Sequence, residues 1–573
     1  MHNVEIADAL ELMADLLEFT GANTFRVRAY RNAGRTVRVL GEPAEGILGD
    51  AGRSLTEIAG IGADLAEKIA VLSATGTCAL LDELRAKVPE SVLTLLRIPG
   101  LGPKKAAVLF EQLGVTTLAE LRAVCEQGKV RGLKGFAAKT EEQILAGLPL
   151  AEQAQVRMLW AEADAYAQLV LDHLRSGPAI EQMEMAGSYR RGKDTVGDLD
   201  VLVVSGDSAA VMDRFATLPG IAQILGRGDT KMSVRLAAGL QVDLRVVAAE
   251  SFGAALQYFT GSKEHNVVVR GLAKKLGLKI NEYGVFRDEV YVAGRTEEEV
   301  YGALSLPVFP PELREARREF DWAAAGDLPK LVTLGDLLGD LHMHTTATDG
   351  KASLVEMVEA ARARGLSYIA ITDHSKRVSM ANGLDGERLR QQWREIDALG
   401  AMNPGITILK GVECDILERG GLDLPDDVLA EADWVVASVH YGQNQPRDEI
   451  TRRIVEAIAN PHVSAIAHPT GRLINRRKPY EVDLAAVFEA ARRHGKLLEL
   501  NANPNRLDLD DTACAAAKEH GIPIVISTDA HSTQGLDVLR YGVLQARRAG
   551  LTAADVANTR TWAEVKKLIG RRG

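Results

Sequence analysis

From residue 339 onward, short apolar runs alternate with amphipathic helical stretches such as 354–364 and 483–493, and this alternation constrains the fold more tightly than any other feature of the chain. Seven runs have the length of buried strands, near Leu341, Ile369, Ile408, Val435, Ile466, Leu498 and Ile524. Strands separated by single helices pair in parallel, so these units are expected to close into a distorted (β/α)7 barrel over residues 339–573. Polar residues gather at the C-terminal ends of the runs, where such a barrel carries its chemistry. His342, His344 and Asp349 follow the first strand, His374 the second, Glu413 the third, His440 the fourth, His468 the fifth, and Asp529 and His531 the seventh. Nine of the twelve histidines lie after Leu341, and six of them fall at these ends, so chance scatter over a surface is a poor explanation. Neutral imidazoles mixed with carboxylates suit Zn²⁺, Mn²⁺ or Fe²⁺ rather than Mg²⁺ alone, and nine ligands call for more than one ion.

A second constellation lies upstream, where residues 151–320 read as a mixed α/β region with strand-like runs at 199–204 and 242–247. Asp198 and Asp200 are two apart on a strand and point to one face. Asp243 sits on the later run, a candidate neighbour in the sheet. Carboxylates gathered this closely repel one another unless hard cations such as Mg²⁺ or Mn²⁺ intervene. Upstream, Gly187 and Ser188 offer a backbone turn and a hydroxyl suited to phosphate, with Arg191 as a charge partner.

Residues 1–150 read as short helices joined by glycine turns. Ile58-Ala59-Gly60-Ile61-Gly62 and Ile98-Pro99-Gly100-Leu101-Gly102 repeat one pattern, each followed by a helix, the second with Lys104 in its first turn. A weaker third copy spans Gly132-Leu133-Lys134-Gly135. Amide groups at such helix starts can hold a backbone phosphate without reading a base. The net charge of -10 gives no global attraction to nucleic acid, so binding must come from local basic runs. Two exist: Arg26, Arg28, Arg31, Arg35 and Arg38 with Phe25 and Tyr30 between them, and Lys129, Arg131, Lys134 and Lys139. A third basic stretch, Arg472, Arg476, Arg477 and Lys478, follows the fifth barrel strand.

The repeated glycine turns resemble the helix-hairpin-helix modules of DNA repair proteins. Gly187 to Asp200, with Tyr258-Phe259-Thr260-Gly261-Ser262, Asn266 and Arg270, resembles the nucleotidyltransferase core of family X DNA polymerases. The His-rich set resembles the polymerase and histidinol phosphatase (PHP) superfamily, whose barrel holds up to three ions for phosphoester hydrolysis. Together the chain is similar to bacterial family X polymerases with a C-terminal PHP domain. The resemblance implies a helical lyase-like domain at 1–85, a helix-hairpin-helix subdomain at 86–150, a palm at 151–250, a thumb-like subdomain at 251–320, a linker at 321–338 and the PHP barrel at 339–573.

It further implies that Asp198, Asp200 and Asp243 bind two metals, with Asp243 as base for the primer hydroxyl. Ser188 and Arg191 would contact the triphosphate, Tyr258 and Phe259 the sugar, Asn266 the base edge and Arg270 the template minor groove. In the barrel one ion would use His342, His344, Glu413 and Asp529, a second Glu413, His440 and His468, and a third Asp349, His374 and His531. Lys68 occupies the position of the lyase lysine, although Asp64 and Glu67 would raise its pKa.

The expected activity is short-gap filling in DNA repair, with a 3′-5′ exonuclease or phosphoesterase, and incision at abasic sites, from the barrel. Two rivals remain: a polymerase whose barrel only supports it, and a non-enzymatic DNA-binding scaffold. Partners are gapped or primed DNA and deoxynucleoside triphosphates, acting on a monomer. Four dispersed cysteines without CxxC spacing suit a reducing cytoplasm, and no apolar run reaches the ~18 residues of a membrane span.

Overall fold

A computed structural model describes residues 3–38, 44–49, 53–58, 60–98, 101–153 and 157–570. The chain forms two compact units, Met1–Arg157 and Met158–Gly573. The described elements of the first unit are all helical. Helix Asn3–Phe19 buries Ile6, Leu10, Met13 and Leu17, one face at helical spacing, and packs on helix Thr24–Arg38 through Val27, Tyr30, Ala33 and Val37. The expected all-α character of this region is observed.

The second unit begins with helix Trp160–Arg175 and a five-stranded sheet. Across that sheet run Gln182–Met185, Asp198–Val204, Gln241–Val246, Lys231–Leu236 and Ile221–Arg227. Only Asp198–Val204 and Gln241–Val246 pair in parallel. Leu199, Val201 and Val203 face one core with Val242 and Leu244, while Leu202 on the other face packs on helix Phe252–Thr260. Helix Lys263–Lys275 and a small antiparallel sheet, Lys279–Asn281, Gly284–Arg287 and Val290–Ala293, follow. The stretch read as a linker, 321–338, is packed: helix Glu319–Ala325 runs into it, and the Val332 amide donates to the Leu551 carbonyl at 3.0 Å. Apolar Leu331 and Val332, both buried, give it a surface to hold.

All seven expected barrel strands are present and pair in parallel in chain order, from Gly339–Asp340 to Ile524–Ser527. Each is buried on both sides, which explains why they read as continuous apolar runs rather than alternating ones. Tyr368, Leu409, Trp434 and Val525 fill the interior, plugged from below by Val565 and Ile569, while Ile369, Ile408, Val435 and Ile524 meet the surrounding helices. The ring nearly closes. At the seam, the Asn558 amide donates to the carbonyls of Gly339 and Ile526, both at 2.7 Å, and accepts from the Ile526 amide at 3.0 Å. Asn558→Ala would leave these groups buried without partners, and is expected to destabilise the barrel by about 3 kcal/mol. Urea unfolding followed by tryptophan fluorescence measures it; an unchanged midpoint would count against the seam.

Candidate active sites

In the sheet of the second unit, Asp200 lies directly beside Asp243 in the parallel register, so their side chains share a face with Asp198. Asp198 is exposed, and Asp200 and Asp243 are half-buried. The Asp243 carboxylate accepts from the Gln241 amide at 3.0 Å. Burial first, then the neighbouring Asp198 and Asp243 charges, push the Asp200 carboxyl up to about 7. Three carboxylates that cannot all ionise comfortably are a donor set suited to Mg²⁺ or Mn²⁺.

Because the native state holds a proton on Asp200 that the unfolded chain has lost, metal-free stability falls as pH rises between about 4 and about 7. With chelator at about pH 8, Asp200→Asn should therefore raise the melting temperature by roughly 2–6 °C, and at about pH 4 the difference should vanish. Calorimetry at the two pH values checks this; a lower melting temperature for the variant at the higher pH would contradict it.

Gly187, at φ +66°, opens the short helix Gly187–Arg190, and a Cβ there would stand 2.6 Å from Asp200 Oδ2. Only glycine suits both the dihedral and the approach. Beside it the Ser188 hydroxyl is buried with no hydrogen-bond partner among the described residues. A buried hydroxyl left without a partner is costly, which fits a hydroxyl kept for a ligand. The Arg191 Nε donates to Glu315 Oε1 at 3.1 Å and its Nη1 to the Thr260 carbonyl. Gly261, at φ +70°, lies against the same guanidinium. Tyr258 and Phe259 form a half-buried edge-to-face pair 5.1 Å apart, with the Arg245 guanidinium 4.4 Å from the Phe259 ring centre. Asn266 is buried, its amide accepting from Gln257 and donating to the Tyr258 carbonyl, both at 2.7 Å. Arg270 stands exposed one helical turn on, its Nε 3.2 Å from the Asn266 carbonyl.

The barrel gathers the second set into one cluster. Glu413 stands at its centre. Its Oε2 lies 2.8 Å from His374 Nδ1, 3.5 Å from His342 Nε2 and 3.6 Å from His344 Nε2. Its Oε1 lies 3.1 Å from His468 Nε2 and 3.4 Å from His440 Nε2. Asp529 Oδ1 lies 3.2 Å from His344 Nε2, and Asp349 is within 3.5 Å of His374 and His531. Three groups are close enough to hold an ion each: His342, His344 and Asp529; His374, Glu413 and His440; and His344, Asp349, His374 and His531. The partition differs from the resemblance-based one, since His344 and His374 are each shared between two groups. Among the described residues, the buried His342 Nε2, both His344 nitrogens and His468 Nδ1 make no hydrogen bond, as expected of atoms that serve as ligands. Without cations the cluster is electrostatically unbalanced: burial and neighbouring His374 bring His344 down to about 4. For His374, burial lowers the pKa but nearby Glu413 and Asp349 outweigh it, giving about 10. His468 and Asp529 adopt positive φ, +28° and +55°, strain that tends to persist at functional sites. His342, His344 and Glu413 are sealed, whereas Asp349 is exposed and His440 and His531 are half-exposed, so the mouth opens on their side.

Supporting residues escaped the sequence reading. Glu499, fully buried, accepts from His342 Nδ1 at 2.7 Å and from the His468 amide at 2.6 Å, fixing the ring tautomer. Asp415 does the same for His440 Nδ1 at 3.1 Å. Both signals were readable: an acid inside the apolar run 497–500, and a carboxylate two residues after Glu413 on one strand face. Of the basic stretch near 475, Arg472 caps the carbonyls of Arg506 and Leu507 at 2.7 Å and meets Asp194 at 3.3 Å, so it serves structure. Arg476 and Lys478 stay exposed. Arg506 itself reaches the cluster, 3.8 Å from Asp529 Oδ2.

In the first unit, Gly62 and Gly102 cap helices Ala63–Thr75 and Pro103–Leu113 with nearly the same dihedrals, φ −84° and −77° with ψ 171° in both. Gly60 has φ +92°, and Gly100 lies outside the described residues. The turns are closed by matching bonds, Ile61 amide to Ile58 carbonyl at 3.1 Å and Leu101 amide to Ile98 carbonyl at 3.0 Å. A third copy exists in a shifted frame, Leu133 to Ala137. There the Phe136 amide bonds the Leu133 carbonyl at 3.0 Å and Gly135 takes φ +89°, the role of Gly60. Lys104 is exposed, as are Lys129, Lys134 and Lys139, while Arg131 is held by buried Glu141 at 2.6 Å. Arg26 and Arg28 are exposed beside Phe25, Arg31 pairs with Asp15 and Glu18, and the side chains of Arg35 and Arg38 lie outside the described set. Lys68 donates to the Asp64 carboxylate; burial opposes its charge, but Asp64 and Tyr30 leave its pKa raised.

Family models match in chain order: a helix-hairpin-helix domain over residues 1–78, a SAM-like helix-hairpin-helix tandem over 92–148, a DNA polymerase beta palm over 157–239, a DNA polymerase beta thumb over 255–315 and a PHP domain over 340–503. The DNA polymerase/3′-5′ exonuclease PolX of Bacillus subtilis (strain 168) is 42% identical over 582 residues, spanning 100% of both chains. A probable phosphatase of Thermoanaerobacter sp. (strain X514) is 31% identical over 234 residues, 39% of this chain and 91% of that one. A probable phosphatase of Acetivibrio thermocellus is 32% identical over 201 residues, 34% of this chain and 78% of that one.

Proposed function

We propose a division of labour that starts from one premise: this chain belongs to the PolX family of DNA polymerases with a C-terminal PHP domain. It is a DNA polymerase and, like its Bacillus subtilis relative, a 3′-5′ exonuclease. Asp198, Asp200 and Asp243 would hold Mg²⁺ or Mn²⁺, which supplies charge neutralisation at the triphosphate and lowers the pKa of the primer hydroxyl. Asp243 accepts that hydroxyl's proton. The Ser188 hydroxyl donates to a phosphate oxygen, and the Arg191 Nη2, the nitrogen of that guanidinium with no hydrogen bond among the described residues, binds another. Gly187 lets the backbone come close, and Gly261 leaves room for Arg191. Tyr258 and Phe259 face the sugar. Asn266 reaches the base edge by giving up its bond to Tyr258, and Arg270 meets the template in the minor groove. Gly60, Gly62, Gly100, Gly102 and Lys104 hold the DNA backbone. Lys68 has no part in this reading, because its ion pair with Asp64 opposes the neutral amine that a Schiff base needs.

In the barrel, His342, His344, Asp349, His374, Glu413, His440, His468, Asp529 and His531 would hold up to three ions, Mn²⁺ or Zn²⁺, which supply Lewis-acid activation of a phosphoester. Glu499 and Asp415 orient the rings, and Arg506 faces the phosphate. The substrate is the 3′ end of gapped DNA in repair, with incision at abasic sites a further activity. The side-by-side register of Asp200 and Asp243 carries the polymerase half. The test is a primer on gapped DNA with Mg²⁺ or Mn²⁺, with and without nucleotides. Extension with nucleotides and shortening without them are expected; no extension with either metal would end the reading.

A further inference from the structure

We infer that Arg548, on the last turn of the barrel helix Leu539–Arg548, positions Arg191 for the incoming triphosphate, so that the hydrolytic barrel forms part of the polymerase's nucleotide pocket. The inference rests on the proposed role of Arg191.

Arg191 caps a helix of only four residues, Gly187–Arg190, too short to hold a long side chain by itself. Its support comes from elsewhere. The Arg548 Nη1 donates to the Arg191 backbone carbonyl at 2.6 Å and lies 3.0 Å from Glu315 Oε1. That same Glu315 oxygen accepts from the Arg191 Nε at 3.1 Å. One guanidinium therefore fixes both the backbone of Arg191 and the carboxylate that aims its side chain. The other edge of Arg548 donates from Nη2 to Asp511 Oδ2 at 2.7 Å, anchoring the relay in a second barrel helix, Asp511–Glu519.

The Arg548 side chain is only 1% exposed. A charge buried that deeply must be paired on all sides, and the planar fork of arginine can serve two carboxylates and a carbonyl at once where lysine cannot. The same helix also braces the next residue: a Cβ on Gly192 would stand 2.5 Å from the Leu544 side chain. The cluster carries an excess of positive charge. Arg191, Arg548, Lys193 and Arg317 face Glu315 and Asp511, an imbalance suited to a polyanionic ligand. Aiming Arg191 through Glu315 leaves its Nη2, which has no hydrogen bond among the described residues, for a phosphate oxygen, while the barrel's candidate metal cluster draws on none of these six residues.

The test uses the full chain, measuring KM and kcat for single-nucleotide addition on gapped DNA and, in parallel, 3′-end hydrolysis without nucleotides. Arg191→Ala and Arg548→Met should each raise KM for the nucleotide about tenfold or more, with kcat for Arg548→Met and its hydrolysis rate within about threefold of the parent. If Arg191→Ala leaves KM unchanged, the assignment of Arg191 fails and the inference with it. If Arg191→Ala raises KM while a folded Arg548→Met keeps the parent value, the relay alone is refuted. A parallel fall in both activities of Arg548→Met would mark a merely structural residue and also refute it. Should Arg548→Met not fold, Arg548→Lys carries the test: it keeps a charge near Glu315 but cannot span both contacts, and a raised KM supports the relay where a parent KM overturns it.

Discussion

Asp198→Asn should reduce nucleotide addition at least about 10³-fold while 3′-end hydrolysis continues at the parent rate. The substitution keeps the shape of an exposed side chain and removes one of three negative charges on one sheet face, so little stability is at stake. What is lost, on the proposed role of Asp198, is a metal ligand. Asp200 and Asp243 alone present one charge fewer to a divalent cation beside the triphosphate. Hydrolysis is spared because no residue of the barrel cluster comes from that sheet. Primer extension and shortening on the same labelled DNA measure both activities, and extension at the parent rate would remove Asp198 from the polymerase site.

Glu413→Gln is the reciprocal case and is expected to lower hydrolysis by at least about 10³-fold with extension unchanged. Five imidazoles stand within 3.6 Å of the two Glu413 oxygens, more than surround any other carboxylate of the cluster. Glutamine fills nearly the same volume, so packing survives, but it replaces a carboxylate oxygen with an amide donor facing ring nitrogens kept for ions. Bound metal per chain should fall with activity. A Glu413→Gln protein that retains its metal and its hydrolysis would show that the ions sit elsewhere.

The barrel was legible because its strands are buried on both faces and so form unbroken apolar runs, with Glu413 and the histidines standing out as polar interruptions at one end. The Asp198, Asp200 and Asp243 grouping was legible for a different reason: the two-residue period of a strand fixes a shared face once the neighbours are known. The neighbour relation itself is long-range, and only the register of Asp200 beside Asp243 supplies it. Helix-hairpin-helix turns were readable where two glycines mark them, and misframed where Ala137 replaces the second glycine and the hydrogen bonds alone define the turn. Contacts between distant segments stayed hidden. Asn558 at the barrel seam, in its contact with Gly339, and Arg548 behind Arg191 act across more than 200 residues of chain, and no local pattern announces them. Packing of 321–338 was likewise invisible, since prolines and charges nearby resemble a linker until Leu331 and Val332 find the barrel.

The proposed function requires two separate metal-dependent centres in one chain. One assay tests it: a gapped, 3′-labelled and 5′-labelled primer in Mn²⁺, with and without nucleotides, for the parent, Asp198→Asn and Glu413→Gln side by side. A reciprocal pattern is expected, extension lost only in the first variant and shortening lost only in the second. Loss of both activities in either folded variant, or of neither in both, would contradict it.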